Sequence, residues 1–254
     1  MPRYACEIEF AGTGFAGTAV QPGQRTLQGE LRRVLALIDG PEALTRTSGR
    51  LDAGVGAEAL VVSCVLSRHW EPGALGRALN GNLGADCRVL RVAAVADDWD
   101  ALAAPSAKTY AYRVLERAAA PARERAVWHR RHLTHPERLA RCARALVGTH
   151  DLSAFAALRG DASDASDPVR RYLSATWTAT PVAGDGTLWT FRITGLGFLY
   201  KQVRGLVGAQ IAVAAGRHTE ADFIRAIDAG RGHPRIGEVA PASGLCLERV
   251  AYRP

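Results

Sequence analysis

The strongest constraint on the fold is the order in which strand-like and helix-like hydrophobic patterns follow one another. Residues 4–10 alternate apolar and polar side chains, which predicts a strand with one buried face. A helix is predicted from about Thr26 to Ile38, because apolar residues recur every three or four positions and the threonine is a natural N-cap. Strands predicted at 59–67 and 87–95 flank a short helix over 72–80 that begins with proline. The first half therefore has the order β-α-β-α-β.

A second half begins after a stretch of small residues that ends at residue 107. Thr134 and Glu137 have the spacing of a capping box, so we expect a helix to begin there and to run to Val147. The other elements are strands at 108–116, 171–179, 187–194 and 245–252, a helix at 200–214 and a helix capped by Thr219. Both halves contain the split β-α-β arrangement of ferredoxin-like sheets. The chain is therefore predicted to be α+β, with one lobe over residues 1–104 and a second over 105–254.

Charge is distributed unevenly between these two halves. Residues 1–104 contain 10 Lys and Arg against 12 Asp and Glu, whereas residues 105–254 contain 22 against 13. Only Lys108 and Lys201 are lysines, so arginine supplies nearly all of the positive charge. Forked guanidinium groups suit contact with phosphates of a nucleic acid, and the alternative is a surface that only keeps the protein in solution. Composition alone leaves both open.

One basic segment stands out in the second half. The run from Arg123 to Arg144 contains seven arginines and three histidines. The default interpretation of such a run is a solvated charged face. The alternative is contact with nucleic-acid phosphates, and the composition of the run does not decide between the two.

Several classes of protein are disfavoured by the sequence. No apolar run approaches the roughly 20 residues that a membrane span needs, and residues 1–10 do not resemble a signal peptide, so we expect a cytoplasmic protein. The five cysteines are scattered and never form C-x-x-C, which predicts buried, reduced thiols rather than a metal site. There is no P-loop, and no glycine-rich motif opens a predicted helix directly after a strand, as it does in a Rossmann fold. We therefore predict no metal and no organic cofactor.

The stretch over residues 48–57 carries the most informative chemistry. It reads Ser-Gly-Arg-Leu-Asp-Ala-Gly-Val-Gly-Ala and places Asp52 close to Arg50 in a glycine-rich loop before a buried strand. A loop aspartate is usually a turn or capping residue. The alternative is a carboxylate that Arg50 keeps ionised at a rigid strand entrance, where it can act as nucleophile or base. The local residues do not decide between these two.

This stretch resembles the Gly-Arg-Thr-Asp-Ala-Gly-Val-His-Ala signature around the catalytic aspartate of the tRNA pseudouridine synthase A family. Further similar segments follow in the family's order at 10–31, 78–80, 87–92, 106–114, 146–155, 197–208 and 240–252. The resemblance thus extends over most of the chain. It implies a pseudouridine-synthase fold with a central mixed, mainly antiparallel sheet. It also implies a homodimer whose two protomers embrace tRNA.

The resemblance further implies roles for four residues. Asp52 corresponds to the nucleophile and Arg204 to its basic partner on a buried helix. Tyr110 corresponds to the active-site tyrosine that stacks on the target uracil, although a strand tyrosine is more often a core residue. Arg50 corresponds to an arginine that contacts RNA, although it is otherwise an ordinary surface charge.

The reaction implied is isomerisation of uridine to pseudouridine at positions 38 to 40 of the tRNA anticodon stem-loop. The target base leaves the stack, and Asp52 attacks either the sugar C1′ or the ring C6. Nothing is oxidised and no group is donated in this reaction, so it requires no cofactor.

The chain departs from the family pattern at several positions. The threonine before the nucleophile is Leu51, the histidine after it is Gly56, an aspartate of the opening motif is Ala11, and a Trp-Gln pair is Thr18-Ala19. These departures motivate an alternative function, a non-catalytic paralogue that binds tRNA without modifying it. Retention of Asp52, Tyr110 and Arg204 together favours the enzyme.

Overall fold

The computed structural model describes residues 1–41, 43–122, 126–161, 164 and 167–253. The chain divides into two compact units, Met1–Ser106 with Cys246–Pro254, and Ala107–Leu245. The sequence pattern predicted the whole of 105–254 as one lobe, whereas the last strand groups with the first unit. Its Cys246 and Leu247 pair in parallel with Gly56 and Ala57, which explains that grouping.

The first unit is a sheet with two helices. Its elements are β1 (Arg3–Phe10), α1 (Leu27–Ile38), β2 (Leu44–Thr47), β3 (Gly56–Val65), α2 (Pro72–Asn82), β4 (Cys87–Val95) and, at the end of the chain, β10 (Leu245–Tyr252). Strand β1 lies between β3 and β4 and is antiparallel to both. Strand β2 pairs antiparallel with β3, and β10 pairs parallel with it.

The local signals of the first unit are confirmed. Alternate residues of β1 are buried, namely Tyr4, Cys6, Ile8 and Phe10. The Thr26 side chain caps α1 by accepting a hydrogen bond from the Gly29 amide. Pro72 stands at the start of α2, where its missing N–H leaves no helical hydrogen bond unmade.

The second unit has a similar mixture of strands and helices. Its elements are β5 (Pro105–Glu116, whose first two residues belong to the first unit), β6 (Trp128–Arg130), α3 (Arg138–Arg144), β7 (Gly148–Asp151), β8 (Val169–Val182), β9 (Gly186–Gly195), α4 (Gln202–Ala214) and α5 (Glu220–Ala226). Strand β9 lies antiparallel between β5 and β8, and β7 pairs antiparallel with β8. Strand β6 runs parallel to β5. The predicted α+β fold class is confirmed.

The predicted start of one helix is wrong. Helix α3 begins at Arg138 instead of Thr134, and Glu137 is its N-cap without a side-chain hydrogen bond. Residues of the predicted capping box make other contacts: the His135 amide donates to the Ala214 carbonyl at 2.7 Å, and the Glu137 carboxylate lies 3.6 Å from Nδ1 of His135. The capping box at Thr219, by contrast, is present.

The cysteines behave as the apolar surroundings predict. Four of the five are buried and Cys246 is partly buried. Burial raises the pKa of both Cys87 and Cys142 to about 12, which disfavours the reactive thiolate. No helix in the described part of the chain is long and apolar enough to cross a membrane.

Candidate active site

Asp52 lies in the loop that leads from β2 to β3 in the first unit. The loop makes a tight turn, in which the Val55 amide donates to the Asp52 carbonyl at 3.1 Å. Gly54 has φ +80°, a conformation that strongly favours glycine, so the turn explains that residue of the motif. Asp52 is half-buried, whereas Arg50 in the same loop is exposed. The structure thus places these two candidate residues on one short, constrained segment.

A second loop, residues 11–18, braces this turn. The Gly54 amide donates to the Phe15 carbonyl at 3.3 Å. Gly12 is pressed against the turn so closely that a Cβ atom there would lie 2.4 Å from the Val55 carbonyl carbon. Glycine in the opening loop is therefore required by the close approach of two backbones.

The bracing loop is itself held by Arg25. The guanidinium lies 4.2 Å from the centre of the Phe15 ring and binds the Asp86 carboxylate through two hydrogen bonds of 2.6 and 2.9 Å. The hydrogen bonds from Arg25 lower the pKa of the Asp86 carboxyl group. This bidentate pair ties the opening loop to the residue before β4.

Tyr110 lies on β5 in the second unit. Its side chain is 8% exposed, and its ring meets that of Phe198 edge to face, with centroids 5.0 Å apart. Phe198 in turn contacts Tyr172, with ring centroids 5.8 Å apart. Tyr110 is therefore part of an aromatic cluster. This agrees with the prediction that a strand tyrosine packs in the core, and the neighbouring rings hold the Tyr110 ring in one orientation.

Arg204 lies on α4, a helix whose other described side chains are almost all buried. Its Nε donates to the Ala240 carbonyl at 2.7 Å, and the Ala240 amide donates back to the Arg204 carbonyl at 3.1 Å. The side chain is only partly exposed. Since Arg204 belongs to the second unit and Asp52 to the first, their pairing stays a prediction.

A basic residue to which the sequence pattern assigns no role lies close to Tyr110 along the chain. Lys108 lies two positions before Tyr110 on β5 and is partly buried, which lowers the pKa of its ammonium group. In the sequence, Lys108 is distinguished only by composition, because it is one of two lysines in an arginine-rich chain. Of the basic run at 123–144, Arg123 and Arg125 lie outside the described residues.

The departures from the family pattern lie close together in the first unit. Leu51 and Thr18 contact each other through two hydrogen bonds. A Cβ atom at Gly56 would lie 3.1 Å from the Phe10 carbonyl oxygen. Ala11, directly after Phe10, donates its amide to the Asp86 carbonyl. These substitutions therefore concern the support of the Asp52 turn, and the candidate residues themselves are retained.

Comparison with known proteins gives the class and then the family. A family model described as tRNA pseudouridine synthase matches residues 142–253. The tRNA pseudouridine synthase A of Caulobacter sp. (strain K31) is 35% identical over 99% of this chain and 98% of its own length. That of Halalkalibacterium halodurans is 36% identical over 98% of this chain and 92% of its own. The chain belongs to the tRNA pseudouridine synthase A family.

A similar protein of known structure was also found. A chain of a Cbf5-Nop10-Gar1 complex aligns with 96% of this chain and 48% of its own length, at 12% identity and a TM-score of 0.41. That similarity is too weak to carry a structural argument.

Proposed function

We propose that this chain isomerises uridine to pseudouridine at positions 38 to 40 of the tRNA anticodon stem-loop, with Asp52 as the nucleophile. The observation that carries the proposal is the constrained turn around Asp52, in a chain that shares about a third of its residues with synthases of this name over nearly its full length. A carboxylate on a braced turn keeps its orientation, which is what covalent catalysis requires.

The proposed reaction is balanced without an added reactant. The uracil is flipped out of the stack, at a cost of a few kcal/mol that phosphate contacts offset. Asp52 attacks C1′ or C6, the bond between C1′ and N1 breaks, and the uracil rotates and bonds to C1′ through C5. The bond between Asp52 and the substrate then breaks, which regenerates the carboxylate. The proton on C5 is lost and N1 gains one, so the product is an isomer of the substrate.

The other candidate residues are given supporting roles. Arg204 is proposed to be the basic partner of the nucleophile, and Tyr110 to stack on the uracil. Arg50, which is exposed beside the nucleophile, is proposed to contact the RNA. The roles of Arg204 and Tyr110 rest on the family resemblance and on their constrained surroundings in the second unit. We further propose that the enzyme acts in the cytoplasm as a homodimer on tRNA.

The test is an assay of Asp52→Asn on unmodified tRNA transcripts, with pseudouridine mapped by chemical labelling and primer extension. This change preserves size and removes the negative charge. We expect product at positions 38 to 40 with the unaltered protein, and a fall of about 10³-fold or more in rate with the variant. The matched control is Asp98→Asn, an exposed aspartate of the same unit, which we expect to retain full activity.

Two results would contradict the proposal. Product formation by Asp52→Asn at an undiminished rate would remove Asp52 from the role of nucleophile. Tight, salt-dependent tRNA binding by a folded but inactive protein would instead support the non-catalytic paralogue.

A further inference from the structure

Thr18 is a buried threonine whose polar groups meet the residue before Asp52. Its side chain is fully buried, and its Oγ1 accepts a hydrogen bond from the Leu51 amide at 3.0 Å. Its own amide donates to the Leu51 carbonyl at 3.2 Å. Both backbone polar groups of Leu51 are thus bonded to a single residue 33 positions away. Leu51 itself is only 7% exposed, so water does not readily replace these bonds.

The threonine is in turn fixed to the first turn of α1. The Gln28 amide donates to the Thr18 carbonyl at 3.0 Å, and the Leu27 amide donates to the Gly17 carbonyl at 3.1 Å. These bonds also satisfy amides that the start of a helix leaves without partners. The loop residue is therefore attached to a regular element rather than to another loop.

The close approach of the two backbones restricts residue 17 as well. Gly17 has φ +97°, and a Cβ atom there would lie 2.7 Å from the Leu51 carbonyl oxygen and 3.4 Å from the Asp52 carbonyl carbon. A side chain at residue 17 would push the Asp52 turn away. Glycine at 17 and a hydrogen-bonding side chain at 18 together set the distance between the two segments.

We infer that Thr18 is a positioning residue that holds the Asp52 carboxylate in its reactive orientation by fixing the backbone of Leu51. Thr18 and Leu51 are both departures from the family pattern, and they are neighbours in the structure. In the family pattern the hydroxyl group belongs to the threonine at position 51. In this chain position 51 is leucine, and the hydroxyl group belongs to Thr18 instead. This inference rests on the proposed function, because it concerns the nucleophile of that reaction.

The inference separates turnover from binding. Binding energy from tRNA comes from many phosphate contacts and does not depend on one loop. Turnover depends on the carboxylate lying within reach of the sugar or ring carbon, and a misplacement of about 1 Å lowers the rate by about 100-fold. Removal of the Thr18 hydroxyl is therefore expected to lower kcat and to leave KM nearly unchanged.

The experiment compares Thr18→Val with Thr18→Ser on the full-length protein. Valine keeps the shape and removes the acceptor, whereas serine keeps the hydroxyl. We expect kcat to fall about 10- to 100-fold with valine, KM to change less than about twofold, and serine to restore kcat to within about threefold of the unaltered protein.

Thr219→Val is the matched control. Thr219 also accepts a hydrogen bond from a backbone amide, that of Asp222, at 3.1 Å. It caps α5 in the second unit, and α5 takes no part in holding the turn around Asp52. We expect its kcat to remain near that of the unaltered protein at a temperature well below its unfolding midpoint.

Unaltered kcat in Thr18→Val, or an equal reduction in Thr18→Ser, would overturn the inference. If the valine variant does not fold, Thr18→Ala replaces it in the same comparison with serine. Asp52→Asn is assayed in parallel, so that failure of the proposed function can be distinguished from failure of the positioning role of Thr18. An inactive unaltered protein removes both, whereas an active protein with an active Thr18→Val removes only the positioning role.

Discussion

At the scale of single residues, Asp39 illustrates how one buried carboxylate stabilises a loop junction. It follows α1, and its side chain is 1% exposed. It accepts hydrogen bonds from the Ser67 amide at 2.6 Å and from the Trp70 indole at 2.9 Å. Burial raises the pKa of this carboxyl group, but the hydrogen bonds, chiefly from Ser67, outweigh burial and the pKa is lowered.

We predict that Asp39→Ala lowers the free energy of unfolding by about 1–3 kcal/mol at pH 7, because the exposed Ser67 amide and the partly buried Trp70 indole lose the charged group to which they donate. Urea denaturation measures the change, and the exposed Asp98→Ala should alter stability by less than about 0.5 kcal/mol.

The same carboxylate predicts a pH dependence. The folded pKa lies below the unfolded value, so its contribution is complete above about pH 4 and is lost as pH falls through the folded pKa. The stability gap between the unaltered protein and Asp39→Ala should therefore narrow below about pH 4. A gap that stays constant down to about pH 2 would show that the ionised form contributes nothing.

What the sequence predicts at this scale depends on how local the interaction is. The Thr26 cap joins residues three positions apart and is visible in the sequence. The Thr18–Leu51 contact joins residues 33 positions apart, so the sequence marks Thr18 only as a departure from the family pattern. Asp52 and Arg50 stand out because glycines surround them, and their roles remain predictions.

At the scale of elements, α4 shows why a buried helix contains glycine. A Cβ atom at Gly205 would lie 1.8 Å from the Phe155 carbonyl oxygen, and one at Gly208 would lie 1.6 Å from the Glu238 carbonyl oxygen. The helix therefore packs directly against two backbone segments. No side-chain rotation relieves such an overlap, and the helix must shift to admit a methyl group.

We predict that Gly205→Ala destabilises the protein by about 3 kcal/mol or more, because overpacking acts here on backbone atoms. The control is Gly81→Ala on α2, where a Cβ atom would meet nothing within 4 Å. Alanine is the better helix former, so this variant should gain about 0.5–1 kcal/mol. Thermal unfolding followed by circular dichroism measures both, and equal effects of the two changes would contradict the packing argument.

Element prediction succeeded where the pattern is long and failed where it is short. Strand β1 and helix α1 carry several repeats of their periods, and both were predicted within a residue or two. Strands β2, β6 and β7 have three or four residues each and exist because a neighbouring strand pairs with them. A pairing partner far along the chain leaves no periodic signal in so short a segment.

At the scale of the whole molecule, charge separates the two units. The first unit has 12 Lys and Arg against 13 Asp and Glu, whereas the second has 20 against 12. Part of the second unit's charge is neutralised internally. Arg138 and Arg141 both form ion pairs with Glu220, at 3.7 and 2.7 Å. Arg131 and Arg144, from the same basic run, are exposed.

We predict that Arg131→Gln with Arg144→Gln weakens tRNA binding and lowers its dependence on salt. Removing one arginine–phosphate interaction should reduce the slope of log Kd against log salt concentration by about one, so the double variant should reduce it by about two. The control is Arg77→Gln with Arg91→Gln, which removes the same charge from exposed positions of the first unit. Filter binding at several salt concentrations measures the slopes.

The slope, rather than the affinity at one salt concentration, decides between the two interpretations of the basic run. A solvated face that never meets phosphate changes only the net charge of the protein, and both double variants alter that net charge equally. Equal slopes for the two double variants would therefore indicate that the basic run only keeps the protein in solution. A lower slope confined to Arg131 and Arg144 would identify it as part of the tRNA-binding surface, because only direct contacts release the counterions that produce the salt dependence.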